Sequence, residues 1–159
     1  MFRSIDLNIS LPSAIKSAWR ELVKHIQQHV EHNRVVSGEA VVDMAIGTIA
    51  HSSDDGEVSL ATELWSGVLC QPAEPGDEVV MRTDGYARVL FIDGLAIDGG
   101  DVAYVSATPG FATNVPGTDR LGIVADASEY DGDPGSPTYN PYAMVCLGYQ
   151  CAPFPVAPL

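Results

Sequence analysis

From Arg34 onward the chain is punctuated: short apolar runs are cut about every eight to twelve residues by Gly, Pro, Asp and Asn. The runs read VVSGEAVVDMAIGTIA, EVSLAT, WSGVLC, DEVVMR, YARVLFI, DVAYVSA, FATNV, LGIVADA and AMVCLGY, and the breaks include DDG, EPGD, TDG, DGGD, TPG and DGDPG. Glycine supplies positive φ and Asp or Asn bonds its own backbone, so each break has a chemical reason to turn the chain. Regular short strands with these turns describe a mainly β protein, a compact β-sandwich or barrel domain over residues 35–150. The last nine residues, 151–159, end in PFPVAPL with three prolines, and read as an extended tail rather than a strand inside a sheet.

Residues 1–34 have a different texture. Ile5, Leu7, Ile9 and Leu11 alternate with polar residues, which makes one side of an extended arm apolar. Such an arm needs a sheet to join and can find it on another subunit. Pro12 and Ser13 then open a helix, with Ser13 as the N-cap. Ile15, Ala18, Trp19, Leu22, Val23, Ile26 and Val30 carry one apolar stripe along it to about residue 33. The expected division is therefore an arm plus one amphipathic helix (1–34), a β domain (35–150) and a proline-rich tail (151–159).

Charge changes at the same place. The chain carries a net charge of −13, yet residues 1–34 hold five basic and three acidic residues, against three basic and eighteen acidic in 35–159. An acidic body lacks the clustered Lys and Arg that phosphate binding requires, so no nucleic-acid partner is expected. No apolar stretch approaches a membrane span, and MFRSIDLNIS lacks the apolar run of a signal peptide; no membrane partner is expected, and synthesis in a cytoplasm is. Cys70, Cys146 and Cys151 form no CxxC or Cys/His metal spacing and are expected to be buried thiols.

The β region repeats itself. GDEVVMRTDGYARV (76–89) and GDVAYVSATPGFATNV (100–115) share a Gly-Asp opening, a short strand, a turn ending in glycine and an aromatic-alanine pair, and read as two hairpin-sized units. Asp101 thus has a counterpart in Asp77, which favours a turn-forming carboxylate over a catalytic one. HSSDDGE (51–57) brings His51 near serines and carboxylates but has the composition of a loop tip, and both lysines, Lys16 and Lys24, lie outside the β region. HIQQHVEH places His25, His29 and His32 on one edge of the helix stripe without the glutamate of an HExxH zinc site. ASEYDGDPGSPTYNP (127–141) gathers Glu129, Asp131 and Asp133 but not in EF-hand order. No phosphate-binding glycine loop occurs, so no catalytic residue, metal or cofactor is expected.

Taken in order, SGEAVVD (37–43), WSGVLCQPAEPGDEVVMRTDGYARV (65–89), LAIDGGDVAYVSATPGFATN (95–114), RLGIVADASEY (120–130) and YAMVCLG (142–148) resemble the small capsid decoration, or cement, proteins of tailed bacteriophages. The resemblance covers about residues 35–148. It implies a β-tulip-like fold and a non-enzymatic homotrimer that binds the major capsid protein on the outside of the head and stabilises it. Within that reading the arm residues Ile5, Leu7, Ile9 and Leu11 and the helix residues Trp19, Leu22 and Ile26 are the expected capsid or subunit contacts. Two alternatives stay open: a β-barrel hydrolase of β-clip peptidase or trimeric nucleotide hydrolase type, and a virion host- or carbohydrate-binding module using Tyr130, Tyr139 and Tyr142.

Overall fold

The computed structural model describes residues 15, 17–22, 35–117 and 119–148. The chain divides into two units, residues 1–32 and 33–159. In the first unit residues 15 and 17–22 are helical and are labelled α1. The arm with Ile5, Leu7, Ile9 and Leu11, the helix residue Ile26 and the tail 151–159 lie outside the described residues.

The second unit is built from two β layers. Strands β1 (Val35–Ala40), β2 (Ile49–Ser52), β3 (Glu57–Leu60), β4 (Gly67–Leu69) and β5 (Glu78–Arg82) form a closed barrel in the order β1-β3-β2-β4-β5. The barrel closes because β1 pairs with β5 along its length, from Val35↔Arg82 to Glu39↔Glu78, and also runs parallel to β3 through Glu39↔Glu57 and Ala40↔Val58. Strands β6 (Gly85–Leu90), β7 (Val102–Val105), β8 (Ala112–Thr113), β9 (Arg120–Asp126) and β10 (Tyr142–Leu147) form a second sheet in the order β6-β10-β9-β7-β8. The structure is thus the mainly β, barrel-containing fold that the turn spacing implies.

Two cores result. Ala40, Met44, Ala50, Val58, Leu69, Ala73, Val79 and Met81 fill the barrel. The larger cluster lies under the second sheet, around Phe91, Leu121, Val124, Val145 and Leu147, and takes Ile49 and Val68 from the barrel wall. Consecutive residues of β2 (Ile49, Ala50) and of β4 (Val68, Leu69) therefore face different cores. Both faces of these strands are buried, so their sequences are apolar without alternation. Backbone bonds weld the layers: Ile49 N–H donates to Gly110 O at 2.9 Å, Gly110 N–H to Ala61 O at 2.8 Å, and Leu90 N–H to Gly47 O at 3.0 Å.

Three expectations need correction. The first Gly-Asp unit is not a hairpin. In the barrel β5 has β1 on one side and β4 on the other, so no edge is left for β6, which crosses to the second sheet and pairs with β10. Only the second unit pairs with itself, β7 against β8. His51 belongs to β2 rather than to a loop tip, because the turn is confined to the residues after Ser52. The cysteines are not all buried thiols: Cys70 is free and exposed, just past the end of β4, and Cys146 is disulfide-bonded.

Candidate functional site

The repeated aspartates do the same local work. The main-chain N–H of Asp77 donates to Glu74 O at 3.0 Å and that of Asp101 to Asp98 O at 3.2 Å, closing two four-residue turns. The third residue of each, Gly76 (φ 93°) or Gly100 (φ 97°), has the positive φ of a type II turn. Each carboxylate then reaches back to the start of its own turn: Asp77 Oδ2 accepts from Glu74 N–H at 2.9 Å, and Asp101 Oδ2 from Asp98 N–H at 3.0 Å. The same glycines tie each turn to a distant strand or loop, Gly76 N–H to Ala40 O at 2.8 Å and Gly100 N–H to Val124 O at 2.7 Å. Asp101 Oδ2 also accepts from Asn114 Nδ2 at 3.1 Å. These carboxylates are occupied in holding strand entrances.

His51 and the carboxylates of the acidic loop are also engaged in local bonds. His51 Nδ1 lies 3.4 Å from Ser66 Oγ, and that hydroxyl accepts the Ser52 N–H at 2.8 Å. The pair is long for a nucleophile and its base, and Ser66, not a neighbour in HSSDDGE, is the serine that meets the ring. In the acidic loop Asp131 accepts from Asp133 N–H at 3.0 Å and from Thr138 Oγ1 at 2.7 Å, and Asp133 accepts from Gly135 N–H at 2.9 Å. Hydrogen bonds from the Ser136 and Thr138 side chains, then from the Asp133 backbone, hold the Asp131 carboxyl below its ordinary range. Among the described residues no group of three His, Cys, Asp or Glu side chains converges on a metal position. His25, His29 and His32 lie outside the described residues.

The three tyrosines are each engaged by neighbouring groups. Tyr130 packs edge-on against Phe91, ring centroids 6.1 Å apart, and its hydroxyl donates to Ile92 O at 2.7 Å. Desolvation is the main cause of its raised pKa. Tyr139 donates to Asp93 Oδ1 at 2.7 Å, and that hydrogen bond raises its pKa. Tyr142 lies under the Arg88 guanidinium, 4.4 Å from ring centroid to Cζ, a cation–π arrangement.

Among the described residues several large apolar side chains are open to solvent. On α1, Ile15, Trp19 and Leu22 are 51%, 47% and 50% exposed. Their i, i+4, i+7 spacing places them on one side of the helix, which is the seam spacing of helices that associate. Trp19 and Leu22, expected as contacts from the sequence, are thus on an accessible stripe, and Ile15 joins them. On the second unit Val80, Tyr86, Val115 and Met144 are further exposed apolar or aromatic positions. Chemically these groups offer contact area and no reaction.

The sequence matches no protein-family model and no curated protein. In structure the chain is similar to the head fiber gp8.5 N base of bacteriophage phi29, with a TM-score of 0.51 and 17% sequence identity over 72% of this chain and 92% of that chain. The two share a fold at a level of identity where side chains are no longer comparable.

Proposed function

We propose that this chain is a structural protein of a tailed-phage virion, a homotrimer on the capsid exterior that binds the major capsid protein and stabilises the head. The observation that carries the reading is the fold: 92% of a phage head-fiber base is matched by this chain. The order of Gly-Asp units and glycine-led strands that resembles decoration proteins supports it independently. The exposed stripe of Ile15, Trp19 and Leu22 supports self-association, and the arm of Ile5, Leu7, Ile9 and Leu11 supplies an alternating segment suited to adding a strand to a neighbour. Weak contacts repeated over many copies on a symmetric shell sum to firm attachment. No enzymatic role is proposed; Asp77, Asp101, Asp131, Asp133 and the His51–Ser66 pair make local bonds.

The test is co-sedimentation of the full chain with heads from which it has been removed, beside a variant lacking residues 1–12. The full chain is expected in the pellet and to raise the temperature at which heads release DNA; the variant is expected in the supernatant with its β unit still folded. Equal binding by both would remove the arm from the reading. A solution mass other than three times 16.9 kDa would remove the trimer.

A further inference from the structure

The outer face of the second sheet carries a charge pattern that fits its own copy. On β6 and β10 the side chains of Ala87, Val89, Ala143 and Val145 point into the core, so Arg88 and Met144, which stand between them, point outward. Met144 pairs with Arg88 on one side and with Asp126 of β9 on the other. The register of β9 shifts just past that pair, yet Asp126 shares the outer face: a hollow of about 170 Å³ is lined by Arg88, Asp126, Glu129, Tyr142, Ala143 and Met144. The row therefore reads cation, apolar side chain, anion across three strands, a span of about 10 Å. Both ends are held. The Arg88 guanidinium lies over the Tyr142 ring, and Asp126 Oδ1 accepts from Ser128 N–H at 2.8 Å. Hydrogen bonds from the Ser128 backbone, then from its side chain, keep the Asp126 carboxyl below its ordinary range and so ionised at neutral pH. Met144 at the centre is 38% exposed, and Tyr86, two residues before Arg88 on the same face, is 62% exposed.

We propose that this face docks on the same face of a second copy, about a two-fold axis that runs along β10 above Met144. Rotation about that axis exchanges the two ends of the row and keeps its middle in place. Arg88 of each copy then comes over Asp126 and Glu129 of the other, and Met144 meets Met144. A two-fold axis across the strands would instead set Arg88 on Arg88, so the charges select the axis. The contact is isologous, and each ion pair is made twice. An axis along β10 also aligns the strands of the two sheets, the arrangement in which sheets pack face to face about 10 Å apart. Exposed ion pairs are individually weak, and each chain carries a net charge of −13, so the contact is weak between free copies. It gains by repetition where many copies are held side by side on a shell. It uses no residue of α1, and a two-fold contact joins one trimer to another rather than closing a trimer.

Crosslinking at the axis tests this on the full chain. Met144→Cys is made in a Cys70→Ser background, which removes the free exposed thiol, and is treated with a short bismaleimide at high protein concentration. A residue on a two-fold axis meets itself, so a two-chain product is expected on a denaturing gel, above the background set by Val80→Cys on β5. Adding Arg88→Glu turns two attractions into two repulsions and is expected to lower the yield about tenfold. Adding Asp126→Arg to that variant reverses the row and is expected to restore the product, which a general loss of folding would not allow. No product above background, a yield indifferent to Arg88→Glu, or no restoration by the reversed pair overturns the proposal. A product that appears only with added heads and contains a head protein overturns it too, by assigning the face to the capsid. The product is expected to persist when Trp19 and Leu22 are both replaced by serine, and its loss there overturns the proposal that this face associates by itself. These outcomes are separate from the head-surface role, which is read by co-sedimentation.

Discussion

Replacing Trp19 and Leu22 together by serine is expected to dismantle the self-association on which the head-surface role rests. Full burial of a large apolar side chain contributes about 1.5–3 kcal/mol. Trp19 is 47% and Leu22 50% exposed, so an association that covers the stripe has about half of that left to gain at each position. That amounts to about 2 kcal/mol per helix and about 6 kcal/mol for three helices. At 1.4 kcal/mol per tenfold, the association constant of a trimer falls by about four decades. Because the trimer constant has units of inverse concentration squared, the assembly midpoint scales as its inverse square root and rises about a hundredfold. Sedimentation equilibrium over a wide concentration range reads the midpoint, and circular dichroism checks that the helix and the β unit persist. A midpoint that moves less than about threefold with both intact would refute the use of this stripe as the seam.

Three further outcomes follow from the β unit. Asp101→Ala is expected to lower stability by about 1–2 kcal/mol in urea unfolding and Asp77→Ala by less, because Asp101 Oδ2 accepts from both Asp98 N–H and Asn114 Nδ2; the reverse order would refute the turn assignment. Gly122→Ala would drive its Cβ into the Cys146 carbonyl oxygen and within 2.9 Å of that carbonyl carbon, so a loss of about 3 kcal/mol, or about 10 °C in Tm, is expected. Gly99→Ala, whose Cβ meets nothing closer than Ala125 O at 3.6 Å, is the tolerated control. The hydrogen-bonded tyrosine and aspartate of the acidic loop set opposite pH limits. Tyr139 has a raised pKa, so its contribution is complete below its ordinary value of 10.0 and is lost as pH rises through the folded value. Asp131 has a lowered pKa, so its contribution is present above 3.8 and is lost as pH falls through the folded value. Absorbance titration of wild type and Tyr139→Phe checks the alkaline limit, and loop amide shifts in Asp131→Asn the acid one; a Tyr139→Phe curve that superimposes on wild type would refute the first.

Much of the fold was legible because its signals are short-range. Pro75-Gly76-Asp77 and Gly99-Gly100-Asp101 specify their turns within four residues, and the turns appear where those residues stand. The strand spacing that implies a barrel is legible for the same reason. Pairing was not. YARVLFI follows DEVVMR after the three residues Thr83, Asp84 and Gly85 and reads as its hairpin partner, yet β5 is flanked by β4 and by β1, a strand far earlier in the chain. The Ser66 hydroxyl that meets His51 and the Phe91 ring that meets Tyr130 come from distant stretches with no local mark. Of the candidate contacts, the helix stripe could be read from its spacing.

The amino-acid sequence by itself therefore determined where the chain turns, which segments are extended, and which residues of α1 share a face, since each depends on neighbours a few positions away. The tertiary structure decided which strands meet, that β2 and β4 serve two cores at once, and that Asp77 and Asp101 close turns. Those outcomes depend on which distant surfaces compete for the same apolar area, and that competition is resolved only when the whole chain is packed.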